Sequence, residues 1–343
     1  SLHDGLDMTS GVITASEFDR LLCEGTPLID VRAEIEFGHG AIPGAVNLPI
    51  LDTNEREQVG TCYKREGQAA AVALGHRLVS GHTRALRTAR WCDFLRMQPE
   101  AVLHCWRGGM RSRLAAEWIG AEGVPVRVVE GGYKALRQHL LHELEVLAPQ
   151  TALVVIGGRT GSAKTTLIRG LAGGIDLEGF AHHRGSSFGR RVSVPPSQAG
   201  FENSLAVALL RQRLDAAGTT LFLEDESRQI GPVTVPQELH RAMKAAPLVI
   251  VESRFEERVD RILAEYIHED LADWIAADPE HGFERFGRAL LDGLARIARR
   301  LGGDRHRTAE GLLHAALERH RREGDTHAHR EWIALLLHGY YDP

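Results

Sequence analysis

The chain has 343 residues, 43% of them hydrophobic and 25% charged, with a net charge of −5. That balance excludes wholesale disorder, and the length points to two packed domains. No apolar run approaches the roughly 18 residues that a membrane-spanning helix needs, so no membrane partner is expected. The opening residues 1–11 have neither the basic segment nor the apolar core of a secretory signal. Met8 reads as the natural start, with residues 1–7 an expression remnant. Cys23, Cys62, Cys92 and Cys105 are too few and too scattered for a disulfide scaffold, and none forms a CxxC pair. The expectation is a cytoplasmic protein with reduced thiols.

Net acidity does not exclude a nucleic-acid partner, because clustering matters more than the total. Between Arg84 and Arg113 seven arginines face only Asp93 and Glu100, and Arg184, Arg190 and Arg191 stand together without an acid.

In chain order, short apolar runs alternate with helical patterns, the signature of βαβ units and an α/β fold. Strands are predicted at residues 27–31, 101–104 and 126–129, with a long and mostly helical segment over 52–96. Leu136, Leu140, Leu141 and Leu144 recur at helical spacing, which predicts a linking helix over 134–147. Ala148-Pro149-Gln150 breaks it, since proline cannot donate within a helix. A second α/β half follows, with strands at 152–156, 219–223 and 248–251, a helix from about Lys164, and a helical run from Phe255 onward. The division expected is 1–147, 148–260 and a helical extension over 261–343. No zinc signature is present.

His104-Cys105-Trp106-Arg107-Gly108-Gly109-Met110-Arg111-Ser112 follows a predicted strand and precedes a helical run. Loop amides at a helix N-terminus form an anion cradle and favour thiolate over thiol, which makes Cys105 the candidate nucleophile. Gly108 and Gly109 let the backbone bend inward, while Arg107 and Arg111 add positive charge. Arg111 is placed to fork onto a bound oxyanion.

Gly158-Arg159-Thr160-Gly161-Ser162-Ala163-Lys164-Thr165-Thr166 sits between a predicted strand and a predicted helix, the context of a Walker A phosphate loop. Its amides would cradle phosphates, Lys164 would supply a point charge, and the Thr165 hydroxyl would hold Mg²⁺. Ala163 stands where the motif has glycine, and its Cβ disfavours the positive φ required there. The apolar run Leu221-Phe222-Leu223 ends in Glu224-Asp225-Glu226, a Walker B candidate in which Glu224 is the Mg²⁺ ligand.

Two families own loops like that of Cys105. The string His-Cys, five residues, Arg fits the tyrosine-phosphatase signature. The upstream block Leu28-Ile29-Asp30-Val31-Arg32, Glu36-Phe37, Gly40, Ile42-Pro43-Gly44-Ala45 and Asn47-Leu48-Pro49 strongly resembles the first strand of rhodaneses. The first half is therefore identified as rhodanese-like. A rhodanese domain joined to a P-loop domain is similar to the tRNA 2-selenouridine synthase family. Asn54-Glu55-Arg56, Val59-Gly60-Thr61-Cys62-Tyr63-Lys64, Asp176-Leu177-Glu178-Gly179, His183 to Gly189, Phe201-Glu202-Asn203, Glu224 to Arg228 and Tyr340-Tyr341-Asp342-Pro343 carry that resemblance.

The resemblance implies a tRNA substrate with a 2-thiouridine-type wobble base. It also implies geranyl diphosphate and selenophosphate as substrates, the sulfur being geranylated and then replaced by selenium. Selenophosphate is assigned to the Cys105 loop and geranyl diphosphate to Lys164, Thr165 and the Gly158–Gly161 backbone, so ATP or GTP need not be the ligand. Tyr63, Lys64 and Arg65, and His183, Arg184, Arg190 and Arg191, are weighed equally as RNA contacts and as structural residues. The rival readings are a cysteine-dependent phosphatase-type enzyme and a non-catalytic rhodanese/P-loop binding protein.

Overall fold

The computed structural model describes residues 11–215 and 220–342. Met8 and the seven residues before it, Thr219 and Pro343 lie outside them. The described chain forms two compact units, divided first between Ala148 and Pro149.

The first unit is built on a five-stranded parallel sheet of β1 (Val12–Ile13), β2 (Leu28–Asp30), β3 (Ala45–Asn47), β4 (Val102–His104) and β5 (Arg127–Val129). The spatial order is β1-β5-β4-β2-β3. Strands β2 and β4 are buried throughout, as a sheet covered by helices on both faces requires. The helical segment expected over 52–96 divides into Thr53–Glu66, Gln68–Leu78 and Gly81–Met97. Asp52 caps the first of these, accepting the Glu55 amide at 2.8 Å while Glu55 accepts the Asp52 amide at 2.9 Å. Strand β4 lies mid-sheet, so the Cys105 loop leaves the carboxyl edge of the sheet, where α/β folds bind ligands.

The second unit carries a four-stranded parallel sheet of β6 (Leu153–Gly157), β7 (Gly174–Ile175), β8 (Leu221–Glu224) and β11 (Leu248–Ile250), ordered β11-β6-β8-β7. A small antiparallel hairpin, β9 (Gln229–Ile230) and β10 (Val233–Thr234), intervenes between β8 and β11. The helices from Phe255 onward pack around one apolar cluster that includes Ile267, Phe286, Leu294 and Trp332. Phe188, from the loop before Pro195, enters the same cluster. The C-terminal helices thus share one body with the phosphate-loop sheet and are not a separate extension.

One segment departs from the division expected from sequence. Ser197–Asp215 lies between second-unit strands in the chain but belongs to the first unit. Its helix, Gln198–Asp215, is held there by polar contacts that no local pattern reveals. Arg137 donates to Asn203 Oδ1 at 2.8 Å and pairs with Glu202, and Arg213 forks onto the buried Glu143. Asn203, fully buried, donates to the Ala41 carbonyl at 2.8 Å and to the Tyr133 hydroxyl at 3.2 Å. Replacing it by alanine strands those partners without water. Asn203→Ala should destabilise the first unit by about 2 kcal/mol, read from the denaturant midpoint.

Candidate functional sites: a cysteine loop and a phosphate loop

Residues 105–109 link β4 to the helix Met110–Ala121, for which Gly109 is the N-cap. The turn is tight because it closes against residues 131–134: the Tyr133 amide donates to the Cys105 carbonyl at 2.8 Å and the Lys134 amide to that of Trp106 at 2.9 Å. Gly132 has φ +59°, and a Cβ there would stand 2.4 Å from the Cys105 carbonyl oxygen. Gly108 has φ +65°, with a would-be Cβ 2.9 Å from the Gly131 nitrogen. Both positions therefore demand glycine.

Cys105 is buried, its Sγ 3.2 Å from the Ser112 hydroxyl on the first turn of the following helix. The macrodipole places the positive helix end against this thiol. Behind the loop, Arg32 is wholly buried and forks onto Asp30 at 2.6 to 3.0 Å, donates to the Gly40 carbonyl at 2.9 Å, and lies 3.9 Å from the Tyr133 ring centre. Tyr133 in turn stacks on Trp106 at 5.4 Å. His104 is fully buried, which pushes its pKa down despite Asp30 at 3.8 Å, so it is neutral.

The fork of Arg111 closes on Glu36, at 2.6 and 3.1 Å, and not on the space in front of the thiol. Burial alone would raise the Glu36 pKa, but the hydrogen bonds and charge of Arg111 outweigh it and hold the carboxyl below the usual range. Arg107, by contrast, pairs with no carboxylate among the described residues and lines an open cavity together with Trp106 and Met110. The loop's available cation is therefore Arg107. Sequence reasoning missed Glu36 because 75 residues separate it from Arg111. Tyr63 and Lys64 line the same cavity from the helix Thr53–Glu66.

In the second unit, Gly158 to Ala163 join β6 to the helix Lys164–Gly170. Ala163 adopts φ +70°, ψ +24°, the left-handed conformation that its Cβ disfavours. The loop is braced from one helix, Phe255–Ile262: Arg258 Nε donates to the Thr160 carbonyl at 2.8 Å, and Arg261 donates to that of Gly161. Arg258 also forks onto Asp342 at 2.7 and 2.8 Å, so the chain's penultimate residue fastens the helix beneath the loop.

Lys164 Nζ donates to the Gly158 carbonyl at 2.7 Å, curled over its own loop. The Thr165 hydroxyl donates to Glu224 Oε1 at 2.7 Å, so the two residues expected to share Mg²⁺ adjoin. Glu178 stands beside them, 3.5 Å from that hydroxyl. Burial raises the Glu224 pKa to about 7 and that of Glu226 to about 8, with the charge of Glu178 adding to both. A cluster so reluctant to ionise fits a cation, and hydroxyl and carboxylate oxygens are the hard donors Mg²⁺ prefers. Among the described residues no group of three or more His, Cys, Asp and Glu is arranged to hold a metal. Thr165 and Glu224 would then be the protein's share of a coordination sphere filled by phosphate and water. Asp225 is turned away, pairing with Lys244 at 3.2 Å.

A cavity of about 340 Å³ opens over this loop, lined by Lys164, Arg169, Glu178, Arg191, Glu226 and Tyr341 among others. Arg184, weighed as an RNA contact, is instead buried against Asp270 at 2.5 Å and lies 4.7 Å from the Tyr266 ring centre. Among the described residues no helix is long and apolar enough to cross a membrane.

A cysteine loop at the edge of one parallel sheet and a phosphate loop at the edge of another define a rhodanese-like unit and a P-loop unit in one chain. The rhodanese-like domain family matches residues 14–139, and the tRNA 2-selenouridine synthase AAA domain family matches residues 151–343. The chain is 48% identical to the tRNA 2-selenouridine synthase of Hahella chejuensis over 95% of its length and 86% of that protein's. It is 48% identical to the Bordetella petrii enzyme over 96% and 88%, and 46% identical to that of Verminephrobacter eiseniae over 96% and 90%. The chain belongs to the tRNA 2-selenouridine synthase family.

Two outcomes are expected at the phosphate loop. Ala163→Gly removes the left-handed strain and should stabilise the second unit by about 1 kcal/mol in denaturant unfolding. The raised carboxyls of Glu224 and Glu226 keep their protons well above the ordinary 4.5. The folded chain therefore holds more protons than the unfolded chain between about pH 4.5 and 8, and without metal these groups make stability fall as pH rises through that window. A cation must displace those protons, so Mg²⁺ should raise the melting temperature more at about pH 8.5 than at about pH 6. Equal shifts at both values would contradict the assignment of Glu224.

Proposed function

We propose that the enzyme replaces the sulfur of a wobble 2-thiouridine in tRNA with selenium in two steps, each using its own anion loop. In the first, the P-loop holds the diphosphate of geranyl diphosphate, with Lys164 drawing charge from the leaving group while the sulfur takes the geranyl carbon; Thr165 and Glu224 would hold Mg²⁺, which would supply further positive charge there. In the second, the Cys105 loop holds selenophosphate with Arg107 and the helix N-terminus. Selenium bonds to C2 of the base, geranylthiol leaves, and water cleaves the P–Se bond to give phosphate, with no net oxidation. Cys105 lies at the exchanging atoms, and Arg111 acts as a positioning residue through Glu36.

The observation that carries this reading is the pairing, in one chain, of a buried thiol at the N-terminus of Met110–Ala121 with a second anion loop braced by Arg258 and Arg261. One phosphate-bearing substrate would leave one loop without a task. The polar lining of the P-loop cavity supports a diphosphate there whether or not a nucleotide also binds.

Nucleoside mass spectrometry tests the division. With thiolated tRNA, Mg²⁺, geranyl diphosphate and selenophosphate, the wild-type enzyme should convert sulfur to selenium, and Cys105→Ser should stop at the geranylated base. Lys164→Ala should lose geranylation yet still selenate tRNA that is already geranylated. Equal loss of both steps in Lys164→Ala would sink the division.

A further inference from the structure

One cavity of the first unit has a volume of about 1020 Å³, of which the two-step reading uses only the edge formed by Arg107 and the Cys105 loop. Its wall is aliphatic and aromatic: Leu51, Val59, Ala71, Val72, Leu114 and Trp118. Its rim is mixed in charge, with Arg56 and Lys64 on the helix Thr53–Glu66 and Arg107 on the Cys105 loop beside Glu36 and Glu57, Arg56 pairing with Glu36 at 3.6 Å. Neither Lys64 nor Arg107 pairs with a carboxylate among the described residues. One side is the cysteine loop itself, through Trp106 and Met110, which are 39% and 41% exposed.

Selenophosphate needs neither the volume nor the apolar wall. A pyrimidine ring would stack on Trp106, but it gains little from the valine and leucine side chains behind. Such a wall rewards hydrocarbon, at about fourfold in affinity per buried methylene. On the rim, Lys64 without a carboxylate partner suits a phosphate on the same molecule. The cavity over the P-loop is a third as large and lined mainly by charged and polar side chains, so it offers a ten-carbon chain no comparable wall.

We infer that this cavity receives the apolar chain of the S-geranylated wobble nucleotide, with the chain against Val59, Val72 and Leu114, the nucleotide phosphate at Lys64, and C2 of the base turned to the Cys105 loop, where Arg107 keeps selenophosphate. The inference rests on the two-step reading above and gives its intermediate a place. The helical pair Thr53–Glu66 and Gln68–Leu78 then selects which tRNA is selenated: a geranylated base is retained at the exchange site and a plain thiolated base is not.

The test is calorimetric titration of the full chain with 5′-phosphorylated S-geranyl-2-thiouridine and with its S-methyl counterpart. The geranyl ligand should bind at least about 30-fold more tightly. Val72→Asn, which makes the wall polar, and Val72→Phe, which fills it while keeping it apolar, should each weaken the geranyl ligand by about tenfold and leave the methyl ligand unchanged. Should Val72→Asn melt early, Val72→Phe carries the test alone. Equal affinities for the two ligands, or equal losses of both in the variants, would overturn the inference. So would geranyl diphosphate binding with the same dependence on Val72, which would make the cavity the donor's site. If the geranyl nucleotide binds as expected but wild-type enzyme given geranylated tRNA and selenophosphate yields no selenouridine, the two-step reading fails and the chain site stands.

Discussion

Both anion loops exist because a parallel strand must pass its chain to a helix lying on the sheet face within a handful of residues. Such a turn leaves little room for side chains, so backbone amides are what the turn has to offer a ligand. At the cysteine loop this constraint is met by Gly108 and Gly132, which stand where a Cβ would strike a neighbouring backbone. At the phosphate loop it is met at Ala163 by accepting a left-handed conformation with the Cβ in place. That residue holds its geometry because Arg258 and Arg261 grip the carbonyls of Thr160 and Gly161 from below. The strain and its restraint belong to one arrangement.

The two sites use charge differently. Around Cys105 the buried Arg32 is spent on structure, joining the end of β2 to Gly40 and to the Tyr133–Trp106 stack. Removing one partner of such a buried pair costs far more than the pair contributes, since the survivor is left charged in an apolar setting. Around Lys164 the carboxylates are not paired off but crowded, and burial holds Glu224 and Glu226 near neutrality. At the first, Arg32 and Arg111 are neutralised within the fold; at the second, carboxyls crowd together and hold their protons.

Both loops were legible in the sequence because their chemistry is local. Strand, glycine turn, cysteine or lysine, and helix follow each other within about a dozen residues, and the strands β2, β4, β5, β6, β8 and β11 fall where apolar runs place them. The two-residue strands β1 and β7 and the half-exposed β3 lack a run long enough to show. Partnerships across the chain were equally silent. Arg111 reads as an oxyanion fork until Glu36 is found beside it, and nothing near Arg258 announces Asp342. The cavity wall was missed for a related reason: Leu51, Val72 and Leu114 come from separate stretches whose shared face is set only by packing.

The helix Gln198–Asp215 bears on where the chain can be divided. The chain passes between the units at 148–149, again at 196–197, and back at 215–216. Each unit is therefore discontinuous in the chain, and no single cut yields both intact. A fragment ending at Ala148 would keep every strand of its sheet and the whole cysteine loop, yet leave Arg137, Tyr133 and Glu143 without the side chains that satisfy them. Exchanging the rhodanese-like half for another would therefore mean replacing two separate stretches of chain at once.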